Sequence, residues 1–93
     1  MNRLVLQARL VQRGAPRWTP AGVPALDFQL EHESMASEDG TARKVSLQIR
    51  AITFGALVRT VETRELGTDG TFAGFLANAR NGRGTLFHVT ELD

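Results

Sequence analysis

Three stretches in the first half of the chain alternate between apolar and polar residues, the pattern of a strand with one buried face. They cover about residues 2–13, 26–34 and 43–54. Near the end of the third stretch, Ala51 and Ile52 are adjacent apolar residues. This apparent change of inward parity predicts a bulge or a strongly bent strand at that point.

The second half of the chain predicts one helix and two further strands. Residues 55–64 lack strict alternation, but their apolar side chains share one side of a helix. Those side chains are Leu57, Val58 and Val61. Residues 71–78 and 85–92 are predicted strands, joined by a hairpin loop with Asn81 and Gly82 at its tip. Asn-Gly favours such a tip because both residues adopt positive φ at little cost.

Five strands with a short helix between the third and fourth predict an all-β fold, the five-stranded Greek-key barrel called the OB fold. The polar segment 34–40 is the expected hairpin connection between the second and third strands. The alternative is an antiparallel sandwich with the same strand order. At 93 residues the chain is expected to form one domain, residues 1–93.

Composition is that of an ordered globular protein, with 42% hydrophobic and 23% charged residues. The absence of cysteine excludes disulfides and thiolate zinc sites. The first ten residues alternate as a strand and lack the features of a signal peptide. No apolar run approaches the roughly 20 residues that cross a bilayer. We therefore expect a cytoplasmic protein with no membrane segment.

Charge becomes informative once it is placed on the predicted fold. The net charge is only +1, but ten of the eleven cations are arginines. Arg17 and Trp18 fall in the first interstrand loop, and Arg80 and Arg83 fall in the last. OB barrels bind ligands through these two loops and the sheet face between them. Arginine binds phosphate and stacks on flat rings, so this placement predicts a nucleic-acid binder, with DNA and RNA both open.

Several motifs occur in an order that resembles a known family. They are NRLVL (2–6), PAGVP (20–24), FxLEHxS (28–34), GFLA (74–77), NG (81–82) and LFHVTEL (86–92). The chain resembles the primosomal replication protein N (PriB) family, relatives of bacterial single-stranded DNA-binding protein. The resemblance implies an OB-fold homodimer that binds single-stranded DNA. It also implies two protein partners at stalled forks, the replication-restart helicase and the helicase-loading protein.

The resemblance also assigns binding residues. Arg17, Arg43, Arg80 and Arg83 match the family's basic positions, with Arg43 on the outer sheet face. Two departures weaken the match, because Thr41 and Ser46 stand near positions that are aromatic in the relatives, and the final hairpin is shorter and poorer in lysine. Each base stacked on an aromatic contributes about 1 to 3 kcal/mol. These departures leave open a protein adaptor with weak DNA affinity.

Trp18 has two interpretations. It stacks on a base beside a phosphate held by Arg17, or it folds over its neighbouring prolines as a lid on the barrel. Strand phenylalanines are assigned to packing and not to DNA, with at least two of them facing the core. These are Phe72, Phe75 and Phe87.

In the first strand, Arg3, Arg9 and Arg13 are an even number of residues apart, so their side chains are expected on the same outward face. This stripe is either a phosphate track or a solvated face paired with acids from neighbouring strands. The family resemblance adds a third interpretation, a dimer interface that covers an exposed edge strand. The residues assigned to that interface are Leu4, Val5, Leu6, Arg9 and Val11.

The remaining polar candidates favour structural roles. His32 and His88 are placed on inward parity without a third metal ligand nearby, so we expect buried, hydrogen-bonded structural histidines. The acids at 31, 33, 38 and 39 form a solvated face suited to a basic protein partner. No nucleophile elbow, phosphate loop, dinucleotide fingerprint or metal motif occurs, so we expect no enzyme activity, cofactor or metal.

Overall fold

The computed structural model describes residues 1–93 and contains six strands and one helix. They are β1 (Leu4–Arg13), β2 (Arg17–Trp18), β3 (Pro24–Glu38), β4 (Thr41–Phe54), α1 (Leu57–Glu62), β5 (Asp69–Asn78) and β6 (Thr85–Leu92). The predicted helix is confirmed, and no helix has the length and hydropathy to span a membrane.

The five long strands close into a barrel. The sheet order is β1, β5, β6, β4, β3, and an additional β1–β3 pairing joins its two ends. All neighbouring strands are antiparallel except β4 and β6, which run parallel over a short contact at Ala51 and Ile52. The closed ring confirms the predicted barrel and excludes the sandwich. The two-residue β2 pairs only with the start of β3, at the margin of the sheet.

Large apolar side chains from every wall fill the barrel. Leu10, Leu30, Phe72 and Phe87 are fully buried, so two of the three strand phenylalanines face the core as expected. The helix covers one end of this core with Val58 and Val61. The chain passes from β4 to the helix through a turn at Gly55, where the φ of 79° is a left-handed conformation that favours glycine.

The strands β3 and β4 continue beyond the barrel as a two-stranded ribbon. Their pairing extends to Glu38 and Thr41, so the connection is the two-residue turn Asp39–Gly40 and not the whole of segment 34–40. Both turn residues have positive φ, 50° and 78°, as a tight hairpin turn requires. The ribbon is exposed on both faces, so its sequence lacks the apolar alternation that marks a half-buried strand.

The predicted bulge at Ala51 and Ile52 is wrong. The register between β3 and β4 is continuous over the whole length of the two strands. Every second residue of β4 still faces the core at Ala51 and Thr53. Ile52 points to the outer face and is buried there beside Phe54 and His88. Two adjacent apolar residues therefore reflect a strand that is covered on both sides.

Bulges occur instead in β1 and β6. In β1 the register against β3 shifts between Leu10 and Gln12, which leaves Val11 as an extra residue. After the shift Arg13 pairs with Phe28 on the core-facing side, where its Nη1 donates to the Arg64 carbonyl. The expectation that Arg13 continues the outward stripe of Arg3 and Arg9 is therefore wrong.

Only part of β1 is an open edge. Leu4 to Arg9 pair with β5, and Arg9 to Arg13 pair with β3, so the segment 4–8 has a strand on one side alone. The predicted edge therefore applies to Leu4, Val5 and Leu6. Arg9 pairs with both strands and Val11 lies in the half of β1 that pairs with β3 alone, so their assignment to a dimer interface stays a prediction.

Candidate nucleic-acid interface

A groove of about 1080 Å³ crosses the outer face of the barrel. Strands β3, β4 and β6 form its floor together with Gln12 of β1, segment 13–20 forms one wall, and residues 78–81 form the other. These walls belong to the two arginine-containing loops that the sequence singles out. The structure thus brings both loops to one site with a sheet face between them.

The first loop holds Trp18 in a defined position. Strand β2 pairs Arg17 with Ala25 and Trp18 with Pro24. A turn follows, in which the Thr19 and Val23 backbones bond at 2.9 Å. The Trp18 side chain is 72% exposed and lines the groove. It is therefore not a lid buried over the prolines, and most of its surface is accessible to a ligand.

Positive charge is concentrated in the groove. Its lining contains Arg13, Arg17, Arg50 and Arg80 but only one acid, Asp27. Because the Arg13 guanidinium is bonded to the Arg64 carbonyl on the core-facing side, the charge on the outer face comes from Arg17, Arg50, Arg80 and Asp27 and is formally +2, whereas the whole chain carries +1. A single-sign cleft of this kind attracts a polyanion even when the net charge of the protein is small.

Arg17 is already paired. Its Nη2 lies 2.8 Å from Oδ2 of Asp27, and the two side chains are 53% and 55% exposed. Exposed pairs of this kind contribute little to stability, because water and salt screen them. A phosphate that binds Arg17 must share the guanidinium with Asp27 or displace the carboxylate.

Arg50 is a groove residue that sequence analysis missed. Its Nη2 donates to the carbonyl of Arg83 at 2.9 Å and ties the final loop to the sheet. Within that loop the Ala79 backbone bonds to both Gly82 and Gly84. The loop spans residues 79–84, and of the predicted Asn-Gly tip only Gly82 has positive φ.

The other predicted arginines differ in position. Arg80 lines the groove, whereas Arg83 belongs to its rim through the backbone contact with Arg50. Arg43 pairs with Ala36 in the ribbon, on the core-facing parity, and its Nε lies 3.5 Å from Glu38. The structure does not bring Arg43 to the groove, and its assignment to nucleic-acid binding stays a prediction.

Three aromatic rings form a row on the outer face beside Trp18. His88 stacks on Phe75 with ring centroids 4.8 Å apart and on Phe54 with centroids 6.1 Å apart. Phe54 and Phe75 remain 45% and 40% exposed. The prediction of inward parity for His88 is wrong, because its neighbours Phe87 and Val89 fill the core and turn it outward.

His32 is hydrogen-bonded as the sequence predicts, but it is half-buried and not buried. It continues the core-facing parity of β3, where its Nδ1 lies 2.6 Å from the Gln7 carbonyl and its Nε2 lies 2.8 Å from Ser34 Oγ. These contacts fix the ring between β3 and the open half of β1. The structure contains no group of three or more histidine or acidic side chains placed to hold a metal ion.

Acids neutralise the stripe on β1. Arg3 lies 3.7 Å from Glu91, and Arg9 binds Glu31 and approaches Glu33 at 4.0 Å. The hydrogen bond from Arg9 holds the pKa of Glu31 below its usual value, and a bond from Gln48 acts in the same direction. The contact with Glu31 also raises the pKa of Arg9. Arg3 and Arg9 are therefore paired with acids on a solvent-exposed face, and they are not a row of unpaired cations available to phosphates.

Comparison with known proteins agrees with this architecture. A family model described as "Another single-strand binding protein family" matches residues 2–91. The chain is 48% identical over 80 residues to Replication restart protein PriB of Bordetella pertussis, covering 86% of this chain and 75% of the relative. It is 41% identical over 77 residues to the protein of that name in Neisseria gonorrhoeae, covering 82% and 76%. The chain belongs to the PriB family of single-strand binding proteins.

Solved structures support the assignment. PriB from Ralstonia solanacearum superposes with a TM-score of 0.91 at 38% identity, covering 100% of this chain and 96% of that one. The single-stranded DNA binding protein of Thermus aquaticus superposes with a TM-score of 0.77 at 23% identity, covering 100% and 49%. The PriB match confirms the family resemblance, and the second match confirms the OB fold.

Proposed function

We propose that this PriB-family chain is a non-catalytic component of the primosome that binds single-stranded DNA during replication restart. The observation that carries the proposal is the groove, which combines a local formal charge of +2 with exposed aromatic rings between two arginine-containing loops. Backbone charge and stacking are the two contributions on which binding of single strands without sequence preference depends. The names of the relatives support the restart role.

The proposed interface divides these contributions among its residues. Arg17, Arg50 and Arg80 contact phosphates, and Trp18 stacks on a base. The ring row Phe54, His88 and Phe75 offers further platforms and offsets the non-aromatic Thr41 and Ser46. For Phe75, which is 40% exposed, this proposal replaces the assignment to packing alone. Arg83 stays on the rim. We leave Arg43 out of this interface because it lies in the ribbon, paired with Glu38.

A charge-matched pair of double variants tests the proposal. Arg17→Ala/Arg80→Ala removes two cations from the groove, whereas Arg3→Ala/Arg43→Ala removes two cations that are paired outside it. Hydrogen bonds to charged groups contribute about 1.5 to 3 kcal/mol, so the groove variant should lose at least about tenfold in affinity for oligo-dT. The control should change by less than about threefold. Equal losses in both variants would contradict a localised interface.

The proposal extends to assembly and partners. The open edge of β1 at residues 4–8 carries the exposed Val5, which suits pairing with a second copy in a homodimer. The restart helicase and the helicase-loading protein are the proposed protein partners. One OB domain, residues 1–93, would serve these roles in the cytoplasm.

The edge pairing has its own test. A Val5→Glu substitution places a charge on the proposed dimer edge, while Leu4 and Leu6 continue to pack on the core. Light scattering should report a dimer for the native chain and a monomer for the variant, with the fold retained by circular dichroism. A native chain that is monomeric at all concentrations would remove the homodimer from the proposal.

A second candidate function is a protein adaptor with weak DNA affinity. Its support is that Arg17 is paired with Asp27, and that Met35 in the ribbon is 67% exposed. In that case the groove variant Arg17→Ala/Arg80→Ala would keep the affinity of the chain for the restart helicase. Oligo-dT would bind poorly to both the native chain and the variant.

A further inference from the structure

Two glutamines face each other on the floor of the groove. Gln12 of β1 and Gln29 of β3 are register partners, and both line the groove. The bulge at Val11 creates this pair, because without the extra residue Gln12 would take the core-facing parity that follows from Leu10. Bulges often re-aim a side chain next to a functional site.

The two amides are free, unlike their polar neighbours on the same face. Arg9 and Gln48 donate to Glu31, Arg17 donates to Asp27, and Arg50 donates to the Arg83 carbonyl, whereas the Gln12 and Gln29 amides have no hydrogen-bond partner within the chain. Gln12 is exposed and Gln29 is half-buried. The groove floor therefore presents unused donors and acceptors between the cationic walls.

An amide group matches one feature that all bases share. It carries a donor and an acceptor side by side, and rotation about the side chain exchanges them. The Watson–Crick edge of each base likewise places a donor beside an acceptor, and proteins bind these edges in unpaired strands. In a duplex the complementary strand occupies the same edge. An amide pair can thus accept any unpaired base and no paired one.

We propose that Gln12 and Gln29 bind the Watson–Crick edges of unpaired bases, so that the groove selects single strands over duplex without selecting base identity. This inference rests on the proposed DNA-binding function. The aromatic rings would stack on the base and the arginines would bind phosphate. The amides would bind the Watson–Crick edge only where no complementary base occupies it.

The test uses a base whose edge alone is altered. Oligomers of thymidine and of N3-methylthymidine have the same phosphates and ring faces, but the methyl group removes the N3 donor. The native chain should bind the methylated oligomer about three- to tenfold more weakly. The variant Gln12→Met/Gln29→Met keeps side chains of similar length without the amides, and it should bind both oligomers equally. Its salt dependence should equal that of the native chain.

The control variant is Gln48→Met, which removes an amide bonded to Glu31 outside the groove and should keep the full preference. The inference is wrong if the native chain binds the two oligomers equally, or if Gln12→Met/Gln29→Met retains the preference, since a clash of the methyl group would persist there. If the native chain binds neither oligomer, the proposed binding of single-stranded DNA is wrong as well. Binding of both with equal affinity would remove only the role of the amides.

Discussion

At the scale of single residues, Trp18 is the clearest candidate for direct contact with a base. Its backbone is held in a short paired strand, yet its indole is 72% exposed on the groove. A large aromatic side chain in this position gains little from packing within the chain. It is therefore free to stack on a ligand.

Replacing Trp18 should separate binding from stability. Stacking contributes about 1 to 3 kcal/mol per base, so Trp18→Ala should weaken oligo-dT binding by about 5- to 150-fold. The melting temperature should stay within a few degrees of the native value, because the exposed side chain adds little to the core. Anisotropy and thermal unfolding measure the two quantities. A lower melting temperature with unchanged affinity would point to a packing role.

Removing the acid in the groove should strengthen binding. Asp27→Asn frees Arg17 from its ion pair and removes the only negative charge that lines the site. Affinity for oligo-dT should rise several-fold at low salt. Asp39→Asn makes the same charge change at the ribbon turn and is the control. If the two variants gain equally, the effect reflects net charge and not the Arg17 pair.

Glu31 gives a prediction on pH. Arg9 and Gln48 lower its pKa in the folded state relative to the usual 4.5. The resulting stability is present above that usual value and is lost as the pH falls through the lowered folded value. Between pH 7 and pH 3, urea unfolding of the native chain should therefore show a larger loss than that of Glu31→Gln. The difference should be modest, because the pair is solvent-accessible. Equal losses would contradict this contribution, and Glu65→Gln is the control.

At the scale of elements, the bulge in β1 determines which side chain of that strand reaches the groove. Val11 turns Gln12 outward, and the shift in the β5–β6 register leaves Thr90 extra while His88 pairs with Phe75. Alternation in the sequence predicts strands well but assigns faces by simple parity. One extra residue reverses every assignment that follows it. This is why the sequence led to a wrong position for Arg13.

Gly74 is the position where this register is most sensitive. A Cβ on Gly74 would collide with the backbone carbonyl of His88. Gly74→Ala should therefore force the β5–β6 pair apart and lower the free energy of unfolding by about 1 to 3 kcal/mol. Gly14→Ala is the control, since its Cβ would meet only the Asp27 carbonyl at an ordinary 3.7 Å. Urea unfolding measures both, and equal stability of the two variants would contradict the steric account.

At the scale of the whole molecule, the fold and the loops of the site could be predicted, but the floor of the site could not. The family motifs and strand order predict a barrel that places Arg17 and Arg80 on facing loops. Arg50 and His88 lie within strands, where an outward residue in a binding groove has the same pattern as one facing water. Their roles depend on which strands become neighbours, and that information lies in the closed sheet.

Although its net charge is only +1, the molecule should bind a polyanion through one face. The most direct measurement is a titration with fluorescent oligo-dT at several salt concentrations, following oligomer anisotropy and Trp18 fluorescence together. Three phosphate contacts by Arg17, Arg50 and Arg80 predict a slope of log K against log salt of about −2 per subunit. Trp18 fluorescence should be quenched along the same isotherm. A flat salt dependence without quenching, or no binding at low salt, would contradict the groove as a DNA site.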